Sequence, residues 1–159
     1  MHQRVAAAFA VTLLCAWSAG VLGRQGPAPP AAGGAQKPSA IVDDAALVAA
    51  EERTGEWITH GRTQSEQRFS PLTRITDQNV GQLKVAWTFE TGTDRVLEAT
   101  PLVVDGVMYT TASWGIVFAL DAKTGRELWK WDPKVDPKYE RFACCDVVNR
   151  GVALSKGRV

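Results

Sequence analysis

Residues 102–131, LVVDGVMYTTASWGIVFALDAKTGRELWKW, decide the fold. Leu102 to Val104 and Met108 to Thr111 are short runs rich in apolar and β-branched residues. They flank Asp105-Gly106, a strong two-residue hairpin signal because both turn positions need φ > 0. Ile116 to Leu120 and Glu127 to Trp131 flank Asp121-Ala122-Lys123-Thr124-Gly125, a longer hairpin turn. There Asp121 and Thr124 are expected to fix the loop by side-chain to backbone bonds. The prediction is four short strands joined by turns.

The unit recurs. Trp87 and Trp129 stand 42 residues apart and each ends a short strand, Val85 to Phe89 in the first case. Four strands repeating every 40 to 50 residues are the signature of a β-propeller. Pro101 to Tyr109 (PLVVDGVMY) is echoed by Gly151 to Val159 (GVALSKGRV), with Lys156-Gly157 at the turn. The echo is out of register. Trp87 to Gly106 is 19 residues and Trp129 to Gly157 is 28, so nine extra residues precede the second hairpin. Cys144-Cys145 lies in that stretch, and extra loop residues on a rigid scaffold are where function tends to sit. A ring needs at least about four blades, so the chain is expected to be a fragment: an all-β, incomplete propeller over residues 84–159.

Working towards the N-terminus, residues 43–83 read as a helical entry segment. Asp43 or Asp44 can cap a short helix through about Arg53, with Leu47 and Val48 as its apolar face and Gly55 as a stop. A second short helix is expected from Thr76 or Asp77 to Leu83. Residues 24–42 read as a disordered linker. Seven of the thirteen residues from Gly26 to Pro38 are Pro or Gly and none is a large apolar residue, too little to offset the entropy of ordering. Residues 1–23 read as an export signal: Arg4, an apolar run from Val5 to Trp17, then Ser18, Ala19, Gly20 and Gly23. The run of about 13 residues is shorter than the about 20 a membrane-spanning helix needs. Leu14 before Cys15 speaks against a lipoprotein. The expected location is the periplasm, with no transmembrane segment in the mature chain.

Composition narrows the classes. The 159 residues are 45% hydrophobic and 22% charged, with 18 basic and 17 acidic side chains. Those values fit a soluble globular protein. A net charge of +1 argues against a nucleic-acid partner, which usually meets a basic excess. Of three cysteines, only the neighbours Cys144 and Cys145 survive removal of the signal, and an exported chain meets an oxidising compartment.

Three segments together carry a family resemblance. Ala119-Leu120-Asp121-Ala122-Lys123-Thr124-Gly125-Arg126-Glu127-Leu128-Trp129 resembles the A-x-D-x-x-T-G-x-x-x-W tryptophan-docking motif of pyrroloquinoline quinone (PQQ) propellers. Cys144-Cys145-Asp146-Val147-Val148-Asn149-Arg150-Gly151 resembles the Cys-Cys segment of PQQ-dependent alcohol dehydrogenases, and Glu98-Ala99-Thr100-Pro101 the segment where those enzymes place a cofactor-binding glutamate. Trp57 to Phe69 and Ile75 to Trp87 are similar to the family's N-terminal entry. The resemblance implies an eight-bladed propeller of the methanol/ethanol dehydrogenase type, with the strand near Val85 to Phe89 completing the last blade. It implies an enzyme that oxidises primary alcohols by hydride transfer to PQQ and passes electrons to a cytochrome c. It also implies a calcium or lanthanide ion, and leaves room for a haem c domain. The catalytic base and metal ligands are expected beyond Val159.

The same resemblance assigns Glu98, Cys144, Cys145 and Arg150 to the cofactor. It implies a vicinal disulfide between Cys144 and Cys145 lying against one face of PQQ. Adjacent Cα atoms are about 3.8 Å apart, below the usual disulfide span, so such a bridge closes a tight ring; two free thiols are the alternative. A metal pair is disfavoured, since His60 is the only His of the mature chain and is far away in sequence. Arg150 offers a planar fork of donors to the carboxylates and carbonyls of PQQ, or else pairs with Asp146. Glu98 accepts the ring N–H or, protonated, donates; its alternative is an exposed loop glutamate. Trp87, Trp129 and Trp131 read as packing residues, while Trp114 is unassigned. Asp94-Arg95 and Arg62 read as surface charges, and Lys134 to Arg141 as a solvated charged loop. The competing function is a non-enzymatic scaffold propeller of the outer-membrane assembly type, which shares the docking motif but not the set of Glu98, the Cys pair and Arg150.

Overall fold

The computed structural model describes residues 42–159. The expected export signal and the linker up to residue 41 lie outside the described residues. Val42, the last residue of that expected linker, is 1% exposed, and its carbonyl accepts from the Lys156 N–H at 2.8 Å.

One antiparallel sheet holds β1 (Leu102–Val104), β2 (Val107–Thr111), β3 (Val117–Asp121) and β4 (Glu127–Trp131), paired in that order. Leu102 faces Tyr109 across β1–β2, Tyr109 faces Ala119 across β2–β3, and Ala119 faces Trp129 across β3–β4. The first turn forms as expected: Asp105 and Gly106 take φ of 47° and 74°, whose twist matches that of the flanking strands. At the β3–β4 turn, Asp121 Oδ1 accepts from the N–H groups of Lys123 and Thr124 and from the Thr124 hydroxyl, at 3.0, 2.9 and 2.9 Å. Gly125, at φ 72°, closes it by donating to the Asp121 carbonyl at 2.8 Å.

Strand alternation gives the sheet two apolar faces. On one, Leu102, Val104, Val107, Tyr109 and Ala119 pack with Val42, Ala50, Ile58 and Leu154. On the other, Phe118 and Leu120 meet Trp87 and Phe89, with Phe89 edge-on to Phe118 at 5.1 Å. The entry segment covers the first face. Trp57 exchanges two backbone bonds of 2.9 Å with Val103, and Glu56 accepts from the Asp105 N–H at 3.0 Å. The outer edge of β1 is thereby partly covered.

Helix α1 (Asp44–Val48) is capped by Asp43, whose Oδ1 accepts from Ala46 N–H at 2.9 Å, and runs into a 3-10 turn at Ala49–Glu51. Ala46 and Ala50 are buried and Leu47 packs against the first face as expected, whereas Val48 is exposed. The second expected helix shrinks to a 3-10 turn at Val80–Gln82. Asn79 precedes it, taking the Thr76 N–H at 2.8 Å and donating to Arg74 O at 2.9 Å, and Leu83, at φ −59° and ψ 139°, ends it.

Val85 to Phe89 forms no ladder among the described residues, and Val85 is 80% exposed, as suits a strand whose expected partner is the last blade of the ring. One further expectation is corrected. Arg62 is no surface charge: it is 7% exposed, with φ of 75°, and one guanidinium N–H reaches the Glu51 carbonyl at 3.4 Å. In the second unit, Lys156 and Gly157 take φ of 49° and 76°, so the echoed turn forms, flanked by a single bridge between Ser155 and Arg158. Among the described residues, no helix is long and apolar enough to cross a membrane.

Candidate functional site

The site is built by stitching residues 144–151 to the rim of the blade. Ser113-Trp114-Gly115 link β2 to β3, with Trp114 and Gly115 at φ of 65° and 70°. The Trp114 N–H donates to the Val147 carbonyl at 2.8 Å. Asn149 Oδ1 accepts from the Gly151 N–H at 2.9 Å and from the Thr111 hydroxyl at 3.0 Å. The Thr100 N–H donates to the Arg150 carbonyl at 3.2 Å. Gly151 sits at φ 128°, and a β-carbon there would lie 3.1 Å from the Thr100 carbonyl oxygen. Only glycine allows this approach without strain.

The stitching brings the sequence-predicted residues together. Arg150 Nη2 lies 3.2 Å from Glu98 Oε2, although 52 positions separate them; the side chains are 70% and 34% exposed. The alternative partner of Arg150, Asp146, is taken by Arg95 instead. Cys144 and Cys145 are exposed and unbridged in this structure, with their Sγ atoms 2.7 Å apart. The hydrogen bond and charge of Cys144 push the Cys145 thiol up; Arg150 pulls it down and Glu98 raises it. All four residues thus act on one patch. Its open side presents a guanidinium, a carboxylate and two sulfurs, a donor set suited to a flat anionic molecule.

Three residues of the site escape sequence reasoning. Arg95, read as a surface charge, holds Asp146 at 2.7 Å and Glu140 at 2.6 Å. Asn149 anchors the loop, and the only sequence signal for it is the turn preference of Asn before Arg150-Gly151. Trp114 forms one wall of a cleft of about 460 Å³, shared with Trp131, Pro133, Val135, Tyr139 and Val148. The loop from Lys134 to Arg141 is solvated as expected, exposed except at half-buried Glu140. It contains a 3-10 turn at Pro137–Phe142, capped by Asp136, and its Glu140 reaches Arg95. Among the described residues, no cluster of three or more His, Cys, Asp or Glu side chains is placed to hold a metal ion.

The family model for the PQQ-type glucose/ethanol/alcohol dehydrogenase β-propeller domain matches residues 57–158. The chain is 55% identical over 120 residues to the quinohemoprotein alcohol dehydrogenase ADH-IIG of Pseudomonas putida, covering 76% of this chain and 17% of that protein. It is 50% identical over 105 residues to a 1-butanol dehydrogenase (cytochrome c) of Thauera butanivorans, covering 66% of this chain and 15% of that one. The solved structure of ADHIIG from Pseudomonas putida HK5 superimposes with a TM-score of 0.73 at 54% identity, over 77% of this chain and 18% of that one. The chain therefore spans about a sixth of the length of these relatives.

Proposed function

The chain belongs to the family of PQQ-dependent glucose/ethanol/alcohol dehydrogenase β-propellers, and we propose that it forms part of an exported quinoprotein oxidising primary alcohols to aldehydes. The observation that carries this reading is the convergence of Glu98 and Arg150 beside Cys144 and Cys145. A scaffold propeller needs the docking motif for packing but gains nothing from this exposed, charged patch.

The residues present fit the cofactor. Arg150 keeps most of its guanidinium open to solvent with Glu98 as its ion-pair partner, so its remaining donors can take carboxylate or carbonyl oxygens. Glu98 holds Arg150 in place and would accept the ring N–H of the cofactor. Oxidation of Cys144 and Cys145 to a vicinal bridge would give a rigid sulfur surface for one face of the ring. PQQ, when bound, supplies the two-electron acceptor for hydride from the alcohol carbon. The chain's part is binding and orientation, since no described residue is assigned as the catalytic base. The metal ion implied by the family finds no ligand cluster among the described residues.

Electrons would pass to a cytochrome c, the acceptor for which the Thauera relative is named. The apolar start of the chain, residues 5–17, supports export to the periplasm. The test is a chimera in which residues 57–158 replace the matching segment of the Pseudomonas putida enzyme. Dye-linked oxidation of ethanol that needs added PQQ supports the proposal. A chimera that is soluble and folded, yet neither holds PQQ nor turns over, refutes it.

A further inference from the structure

Arg95 joins the two segments that make the site. Its Nη1 donates to Asp146 Oδ1 at 2.7 Å and its Nη2 to Glu140 Oε1 at 2.6 Å, across 51 and 45 positions of sequence. The hydrogen bond to Glu140, then the charges of Asp146 and Glu140, raise the guanidinium above its already high ordinary value. Asp146 is where the loop turns. It takes φ of 69°, in the left-handed region that Asp enters more readily than most side-chain-bearing residues. Asp146 Oδ1 also accepts from the Val147 N–H at 2.8 Å, and Asp146 is bridged to Cys144. Arg95 itself has a fixed base. The carbonyl of the next residue, Val96, accepts at 3.0 Å from the hydroxyl of Ser113, which is fully buried. Glu98 stands three residues after Arg95.

We propose that Arg95 is a positioning residue: its two carboxylate contacts hold the Cys144–Asp146 turn at a fixed distance from the segment carrying Glu98. The identity of the molecule bound there rests on the proposed function; the clasp does not. Exposed ion pairs add little to global stability, but a planar fork spanning two carboxylates of one loop orders that loop at small entropic cost. Its effect belongs in the geometry of the cysteines rather than in the stability of the blade.

The test is the alkylation rate of Cys144 and Cys145 by iodoacetamide in the reduced, native full chain, mapped by peptide mass, for wild type, Arg95→Gln, Arg95→Lys and Glu140→Gln. Loosening the turn separates the sulfurs and relieves the effect that Cys144 has on the Cys145 thiol. Arg95→Gln should raise the rate roughly three- to tenfold, as expected for losing a coupled charge network. Arg95→Lys should recover part of the effect. Glu140→Gln, which keeps the cation, should raise the rate by about twofold to threefold, and it serves if Arg95→Gln fails to fold. Rates within error of wild type in every folded variant overturn the proposal, as does a rise that tracks a fall in melting temperature across the set. PQQ retention by the chimera is read separately: a wild-type chimera that holds no PQQ refutes the cofactor reading and leaves the alkylation result to decide the clasp.

Discussion

The indole of Trp87 sits against Gly125 so closely that a β-carbon on the glycine would fall 2.5 Å from Cε3 and 2.6 Å from Cδ2. Trp87 Nε1 also donates to the Ala122 carbonyl at 3.3 Å. A tryptophan from one repeat is thus seated on the Asp121–Gly125 turn of the next. Gly125→Ala should destabilise the fold by about 2–4 kcal/mol, combining strain at positive φ with overpacking. Urea unfolding followed by tryptophan fluorescence measures it. In the double variant with Trp87→Ala, the cost of the added methyl should shrink, because the clash has gone. Additive costs would mean that the indole does not define this contact.

The Asp121 turn makes a prediction about acid. The Thr124 hydroxyl, then the Thr124 and Lys123 N–H groups, hold the Asp121 carboxyl below its ordinary value of 3.8. A carboxyl lowered on folding contributes stability that is complete above the ordinary value and is lost as pH falls through the lowered one. The stability deficit of Asp121→Asn relative to wild type should therefore be constant above about pH 5 and shrink below about pH 4. Urea midpoints across that range measure it; a deficit independent of pH contradicts the assignment.

Local chemistry was readable from the chain; distant pairing was not. The Asp105-Gly106 turn forms because positive φ is favoured by that dipeptide, and Gly157 supplies the same freedom beside Lys156. Strand β4 has the expected bounds of Glu127–Trp131, since its turn and periodicity are both local. Val85 to Phe89 has strand composition but finds no ladder partner among the described residues. Arg62 and Arg95 look alike as isolated charges, yet one is buried and the other bridges two carboxylates. Burial and pairing at that range are set by packing, which leaves no periodic trace. The meeting of Glu98 with Arg150 was legible only through the family resemblance, because nothing in their spacing predicts contact.

Asn149 holds the site loop to β2 through Gly151 N–H and the Thr111 hydroxyl. Asn149→Ala should cost about 1 kcal/mol, since the Gly151 bond goes while the Thr111 hydroxyl keeps the Asn149 carbonyl at 3.2 Å. It should also raise hydrogen exchange at Gly151 while leaving that of β2 and β3 unchanged. Equal protection at Gly151 in both proteins would show that the side chain is not the anchor.

The cysteines are unbridged in this structure, and the proposed function has them oxidised in the exported protein. Intact mass of periplasmic material, alkylated without reduction, should show no added label and a deficit of two hydrogens relative to the reduced form. Two labelled thiols would remove the vicinal bridge from the account.

In the proposed function Glu98 and Arg150 hold PQQ. Equilibrium titration of PQQ into the chimera carrying residues 57–158, with wild-type, Glu98→Gln and Arg150→Ala sequences, puts this to the test. Truncating a charged partner of an anionic ligand should weaken binding on the order of 10- to 100-fold for Arg150→Ala, and Glu98→Gln should weaken it less. Folded variants that bind PQQ as tightly as the wild-type chimera would contradict the claim.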